Sequence, residues 1–211
     1  ELFKENNFKF IVVGGYAVST YKKRFSIDLD IVIPNSELLK FEELLSKEKY
    51  SAGYEKTIAI LYGENFKRFI KKMNNLPVNV DLLINGLVSR TTDSTWSFES
   101  IENNSIKRRL NNLDFLTPAK ELLIAMKMHS GRSSDTRDIV ALMPCNEDKL
   151  KGFLLRGNLN KLKDSIKKQF LFLRKPQFDD SFKGIFGIQA YNQKDVESAR
   201  QLFEELLKEI S

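Results

Sequence analysis

Asp28 and Asp30 flank a single leucine in the run IDLDIVI. Aspartate is a poor strand former, yet both stand in an apolar stretch that reads as a strand. Strand side chains alternate with period two, so both carboxylates point one way and Leu29 and Ile31 the other. Two ionised acids on one face beside a hydrophobic core repel each other and need a compensating charge. A hard divalent cation, Mg2+ or Mn2+, supplies it through oxygen ligands. Asp81 repeats the anomaly in VNVDLLI. If its strand lies beside that of Asp28 and Asp30, three carboxylates converge. Such a set can hold two cations about 4 Å apart for in-line phosphoryl displacement. Asp81 would then be the general base or a ligand of one cation alone. Taken singly, each acid could instead cap a loop or pair with a lysine; two together on one side favour chemistry.

Gly14-Gly15 is the second element. The pair ends the strand-like run KFIVV, Lys9 to Val13, and opens a helix expected over Tyr16 to Lys23. Backbone N–H groups at such a junction can hold phosphate oxygens, although a tight turn alone would use the same residues. Neither G-x-G-x-x-G nor G-x-x-x-x-G-K-[ST] occurs.

A glycine pair, twelve intervening residues and then Asp28-Leu29-Asp30-Ile31 resembles the nucleotidyltransferase superfamily of the DNA polymerase β type. The run Arg24-Phe25-Ser26-Ile27-Asp28-Leu29-Asp30 resembles the R-x-[ST]-x-D-[ILV]-D pattern of its abortive-infection group, the AbiEii-like toxins of type IV toxin–antitoxin systems. That group carries a helical lysine followed by an R…[KR]-D element, matched here by Lys127, Arg132 and Arg137-Asp138. The resemblance covers about residues 8 to 142. It implies that Asp28, Asp30 and Asp81 bind metal and that Gly14, Gly15, Arg24, Ser26, Lys127, Arg132 and Asp138 serve the nucleotide. Within that set Lys127 would meet the phosphates and Asp138 would orient a basic partner. Ala141 departs from the pattern, which often has an acid there. The implied substrate is a nucleoside triphosphate. The implied acceptor is a hydroxyl of transfer RNA, of a protein or of a small molecule such as an aminoglycoside. An antitoxin is an implied partner. Two other readings stay open: a nucleotide- or RNA-binding module with a decayed site, and a metal-dependent phosphohydrolase using the same acids.

The elements that must position these residues are legible in outline. Strands are expected at Lys9 to Val13, Ile27 to Ile33, Thr57 to Leu61 and Val78 to Ile84. A helix is expected over roughly Glu37 to Lys47, with Asn35 and Ser36 as candidate caps. Residues 64–73 fit helix or strand. Residues 87–104, rich in Ser, Thr and Asn, read as loop with some extended structure. Ser105 to Phe115 should hold one or two short strands. Thr117-Pro118 reads as a helix start, Thr as cap and Pro at the first position, with the helix ending near Gly131. A further helix begins near Ser134 or Asp135. Leu159, Leu162, Ile166 and Phe170 recur at helical spacing, as do Val196, Ala199, Leu202, Phe203 and Leu206 behind a cap at Asn192. The expectation is an α+β fold: a nucleotidyltransferase-like mixed sheet with flanking helices over 1–116, then a helical region over 117–211.

Composition narrows the classes. The 211 residues can bury a sizeable core, and no apolar run nears the roughly 20 residues of a membrane helix. The first residue is Glu1 rather than Met, so the lack of a visible signal peptide carries little weight. One cysteine, Cys145, excludes an intrachain disulfide and a cysteine-rich zinc site and fits a cytoplasmic location. One histidine, His129, disfavours triad chemistry; it reads as a helix-end residue. The net charge is +6, and residues 156–175 hold seven basic side chains against one acid. That segment is a candidate RNA contact or a solvated helix face.

Overall fold

The computed structural model describes residues 1–53 and 65–210. The strand expected at Thr57 to Leu61 lies outside the described residues. The chain divides into two compact units. The first comprises Glu1–Ala17, Ser26–Val88 and Thr95–Pro118; the second comprises Val18–Phe25, Ser89–Ser94 and Ala119–Ser211.

The first unit is built on a five-stranded sheet. Its elements in chain order are α1 (Leu2–Glu5), β1 (Ile11–Val12), the start of α2 (Gly14–Ser19), β2 (Asp28–Ile33), α3 (Leu38–Lys47), β3 (Ser51–Gly53), β4 (Phe66–Met73) and β5 (Leu76–Ile84). The strand order is β1-β2-β5-β4-β3. Only the β2–β5 pair is parallel; β1–β2, β5–β4 and β4–β3 run antiparallel. Alternation sorts the side chains. Ile31 and Ile33 of β2, Phe69 of β4 and Val80, Leu82 and Ile84 of β5 pack with Phe41 and Leu45 of α3 in one core. The Phe41 ring lies 4.8 Å from that of Phe3 and 4.7 Å from that of Phe8, closing this core with aromatic edges. The opposite face of the sheet carries the even-numbered residues of β2, and with them the two aspartates.

Next come β6 (Gly86–Ser89), β7 (Ser94–Ser97), α4 (Phe98–Asn103), β8 (Ser105–Leu110) and β9 (Leu113–Pro118). Ser97 caps α4, its hydroxyl accepting from the Ser100 N–H at 3.1 Å, so the Ser-rich stretch holds a helix as well as strands. Thr117-Pro118 does not start a helix. Both residues end β9, Thr117 opposite Ile106 and Pro118 opposite Ser105. Proline has no N–H to extend the ladder, and the helix begins at Lys120 without a side-chain cap.

The second unit is helical: α5 (Lys120–Ser130), α6 (Ser133–Ala141), α7 (Glu147–Leu154), α8 (Leu159–Leu173), α9 (Phe178–Phe186) and α10 (Gln193–Glu209). Gly131 closes α5 in the left-handed conformation at φ 66°. The apolar stripes of α8 (Leu162, Ile166, Leu173) and α10 (Val196, Ala199, Leu202, Phe203, Leu206) are buried. Asn192 caps α10 by accepting from the Lys194 N–H. No described helix is long and apolar enough to cross a membrane. The expected α+β class, mixed sheet and helical C-terminal region are the architecture observed.

Candidate active site

The β2–β5 register decides what the three acids share. Asp28 stands opposite Asn79 and Asp30 opposite Asp81. Paired residues of adjacent strands project to the same side, so Asp28, Asp30, Asn79 and Asp81 occupy one face. The β4–β5 register adds Arg68, which stands opposite Asp81. A row Asp30–Asp81–Arg68 thus crosses three strands.

Charge in this row is already partly resolved. Arg68 Nε donates to Asp81 Oδ1 at 2.7 Å and Nη2 donates to Oδ2 at 2.6 Å. Both residues are buried, Arg68 at 9% exposure and Asp81 at 3%. A bidentate guanidinium–carboxylate fork of this kind is the geometry that makes a buried pair tolerable. Asp28 is met differently: Asn79 Nδ2 donates to its Oδ1 at 2.7 Å. The other end of that amide, Asn79 Oδ1, is buried and has no hydrogen-bond partner among the described residues. Ser26 Oγ donates to the Asp28 carbonyl at 3.4 Å, bracing the strand entry.

Gly14 reaches this face from β1. The Val13 N–H donates to the Asp30 carbonyl at 2.9 Å, which continues the β1–β2 ladder and brings Gly14 against the Asp30 side chain. Gly14 has φ +61°, and a Cβ there would stand 1.9 Å from Asp30 Oδ2. Only glycine satisfies both the backbone and the approach. Gly15, buried, follows it in the first turn of α2.

The remaining sequence-predicted residues lie in the second unit and form one ion network. Lys127 Nζ is 2.8 Å from Asp135 Oδ1 and 2.7 Å from Asp138 Oδ2. Arg24 binds the other oxygen of Asp138. Arg132 Nε donates to Asp135 Oδ2 at 2.8 Å, and Ser130 Oγ donates to the same oxygen. Gln169 Nε2 donates to the Lys127 carbonyl at 2.9 Å. Burial opposes the Lys127 charge, but Asp135 and Asp138 outweigh it and hold its pKa above the usual lysine value. Asp135 is likewise disfavoured by burial yet driven well below the ordinary carboxylate range by Lys127 and Arg132. The Arg24 guanidinium lies 5.8 Å from the Phe186 ring centroid. Sequence reading missed Arg68, Asn79 and Asp135. Asn79 was readable, since period two places it on the face of Asp81; Arg68 was hidden by the helix-or-strand ambiguity of its segment.

The residues present fit a divalent cation at Asp28 and Asp30. Both offer hard oxygens on one half-buried face, and the Asn79 amide beside Asp28 has an end without a partner. Among the described residues no group of three or more His, Cys, Asp or Glu is gathered for a metal ion.

The sequence matches no family model and no curated protein. Solved structures do share the fold. An antigenic nucleotidyltransferase-like protein from Paracoccidioides brasiliensis aligns at TM-score 0.50 and 13% identity, over 86% of this chain and 87% of its own. An H. pylori protein provisionally described as a nucleotidyltransferase aligns at TM-score 0.50 and 15% identity, over 97% and 88%. The lincosamide adenylyltransferase LnuA, solved with lincomycin bound, aligns at TM-score 0.48 and 15% identity, over 67% and 89%. The first two establish a nucleotidyltransferase-like fold.

Proposed function

We propose that the chain transfers a nucleoside monophosphate from a nucleoside triphosphate to a hydroxyl acceptor. The observation that carries this reading is the face shared by Asp28, Asp30 and Asp81, with Gly14 packed against Asp30. The acceptor oxygen forms a bond to the α-phosphorus, the α–β anhydride bond breaks, and pyrophosphate leaves. Asp28 and Asp30 hold Mg2+ or Mn2+, which when bound offsets the negative charge of the triphosphate. Gly14 and Gly15 at the start of α2 offer the backbone to the phosphates. Asp81 receives the proton of the acceptor hydroxyl in this reading, which its register opposite Asp30 supports. In the second unit, Asp138 positions Arg24 and Lys127, while Arg132 and Asp135 complete that network.

The run from Arg24 to Asp30, with Lys127 and Arg137-Asp138, supports an AbiEii-like toxin of a toxin–antitoxin pair acting in the cytoplasm. The basic side chains of α8 support an RNA acceptor, although Lys161 is paired with Asp93 at 2.7 Å. A second reading is a nucleotide- or RNA-binding module that turns nothing over; the Arg68 fork on the third acid favours it.

The test is release of pyrophosphate and labelling of an RNA, protein or aminoglycoside acceptor from labelled triphosphate. Asp28→Ala should abolish labelling with the fold intact, because it removes carboxylate repulsion. Full labelling by that variant would sink the proposal. Binding of triphosphate by titration calorimetry without turnover would select the second reading.

A further inference from the structure

We infer that the cation donor set on this face is Asp28, Asp30 and Asn79, and that Asp81, held by Arg68, is not among the cation's ligands. The inference rests on the cation-dependent reading above and changes which residues carry it.

Two observations point the same way. Asp81 spends both oxygens on the Arg68 fork, at 2.7 and 2.6 Å. A guanidinium held there is a fixed positive charge beside the carboxylate, and it repels a divalent ion approaching Asp81. Asn79 is in the opposite position. It stands in register with Asp28, and one hydrogen bond of 2.7 Å anchors its amide while the other end has no partner among the described residues. Rotating the amide by half a turn exchanges its nitrogen and oxygen and breaks only that one bond. The amide oxygen then takes the place 2.7 Å from Asp28 Oδ1. Two oxygens at that separation repel unless a cation lies against both. Adjacent ligands of a hard ion with metal–oxygen bonds of about 2.1 Å stand roughly 3 Å apart. Asn79 therefore donates to Asp28 when the ion is absent and presents oxygen when it is bound.

The test is Mn2+ binding to the full chain without nucleotide, with free Mn2+ counted by its electron paramagnetic resonance signal. The wild type should bind one ion, and Asp28→Asn should weaken it at least tenfold. Asn79→Asp separates a ligand from a hydrogen-bond donor. A carboxylate cannot donate to Asp28, so a purely positioning Asn79 predicts weaker binding, whereas a ligand predicts binding at least threefold tighter. The double variant Arg68→Gln with Asp81→Asn removes both charges of the fork together and avoids a stranded buried acid. It should keep the Mn2+ affinity within threefold. Weaker binding by Asn79→Asp, or a tenfold loss in the double variant, would overturn the assignment. So would a wild type that binds no Mn2+. Normal Mn2+ binding with no transfer to any acceptor would instead sink the proposed activity and leave the donor set standing.

Discussion

Gly14 and Asp30 are in contact across the β1–β2 junction, with no room between them for a methyl group: a Cβ on Gly14 would lie 1.9 Å from Asp30 Oδ2. The same glycine has φ +61°. Gly14→Ala therefore carries a left-handed penalty of about 1–2 kcal/mol on top of the collision. The variant should lose transfer and show a lower urea midpoint. Adding Asp30→Ala removes the two closest contacts, leaving the Cβ of residue 30 at 3.0 Å and the backbone penalty in place. The double variant should recover part of the midpoint and none of the activity.

Lys127 stands between two buried carboxylates. Replacing it with Met keeps most of its volume and strands Asp135 and Asp138 as acids with less compensation. Breaking a buried pair by removing one partner costs about 3–5 kcal/mol. Urea unfolding should register a loss of that order for Lys127→Met and a smaller one for Lys127→Arg. Equal stability of wild type and Lys127→Met would mean that the network holds nothing together.

His129 is fully buried. Its Nε2–H donates to the Leu154 carbonyl at 2.8 Å, so Nδ1 accepts from the Thr92 hydroxyl at 2.6 Å. Burial chiefly, with a contribution from Arg156, lowers its pKa from 6.5 to about 4. The unfolded chain takes up the proton first as the pH falls, so stability is fully present above about 6.5 and declines between 6.5 and 4. The full decline is about 3 kcal/mol. Urea midpoints between pH 7 and 4 should slope downward in the wild type and less steeply in His129→Gln. The depressed Asp135 adds its own loss only at lower pH, as the unfolded carboxylate begins to protonate.

The Cys145 thiol is pushed up to about 11 by burial and by Glu121 and Glu147. At neutral pH its thiolate fraction is far below that of a small free thiol. Iodoacetamide should modify the folded protein more than tenfold more slowly than glutathione, and unfolding in urea should remove the difference.

What was legible in the sequence was what local rules govern. Period two put Asp28 and Asp30 on one face, and β2 carries them so. The apolar stripe and Asn192 cap of α10 likewise needed no tertiary information. Thr117-Pro118 was misleading because Thr-Pro suits both a helix start and a strand end, and the pairing with Ser105 and Ile106 decides it. Arg68 could not be found because its role exists only through the β4–β5 register, which no local pattern specifies. Asp135 read as a helix start; its role as a counter-ion follows from how α5 and α6 pack, not from either helix alone.

The second unit draws on three separated stretches of chain, and this has a consequence for its biogenesis. Arg24 is made 114 residues before Asp138, the acid that holds it, and Thr92 is made 37 residues before His129. During synthesis the early stretches must wait for their helices to leave the ribosome. A recombinant fragment starting at Ala119 lacks them altogether. Such a fragment should fold poorly alone and gain helical circular dichroism when the 1–118 piece is supplied in trans.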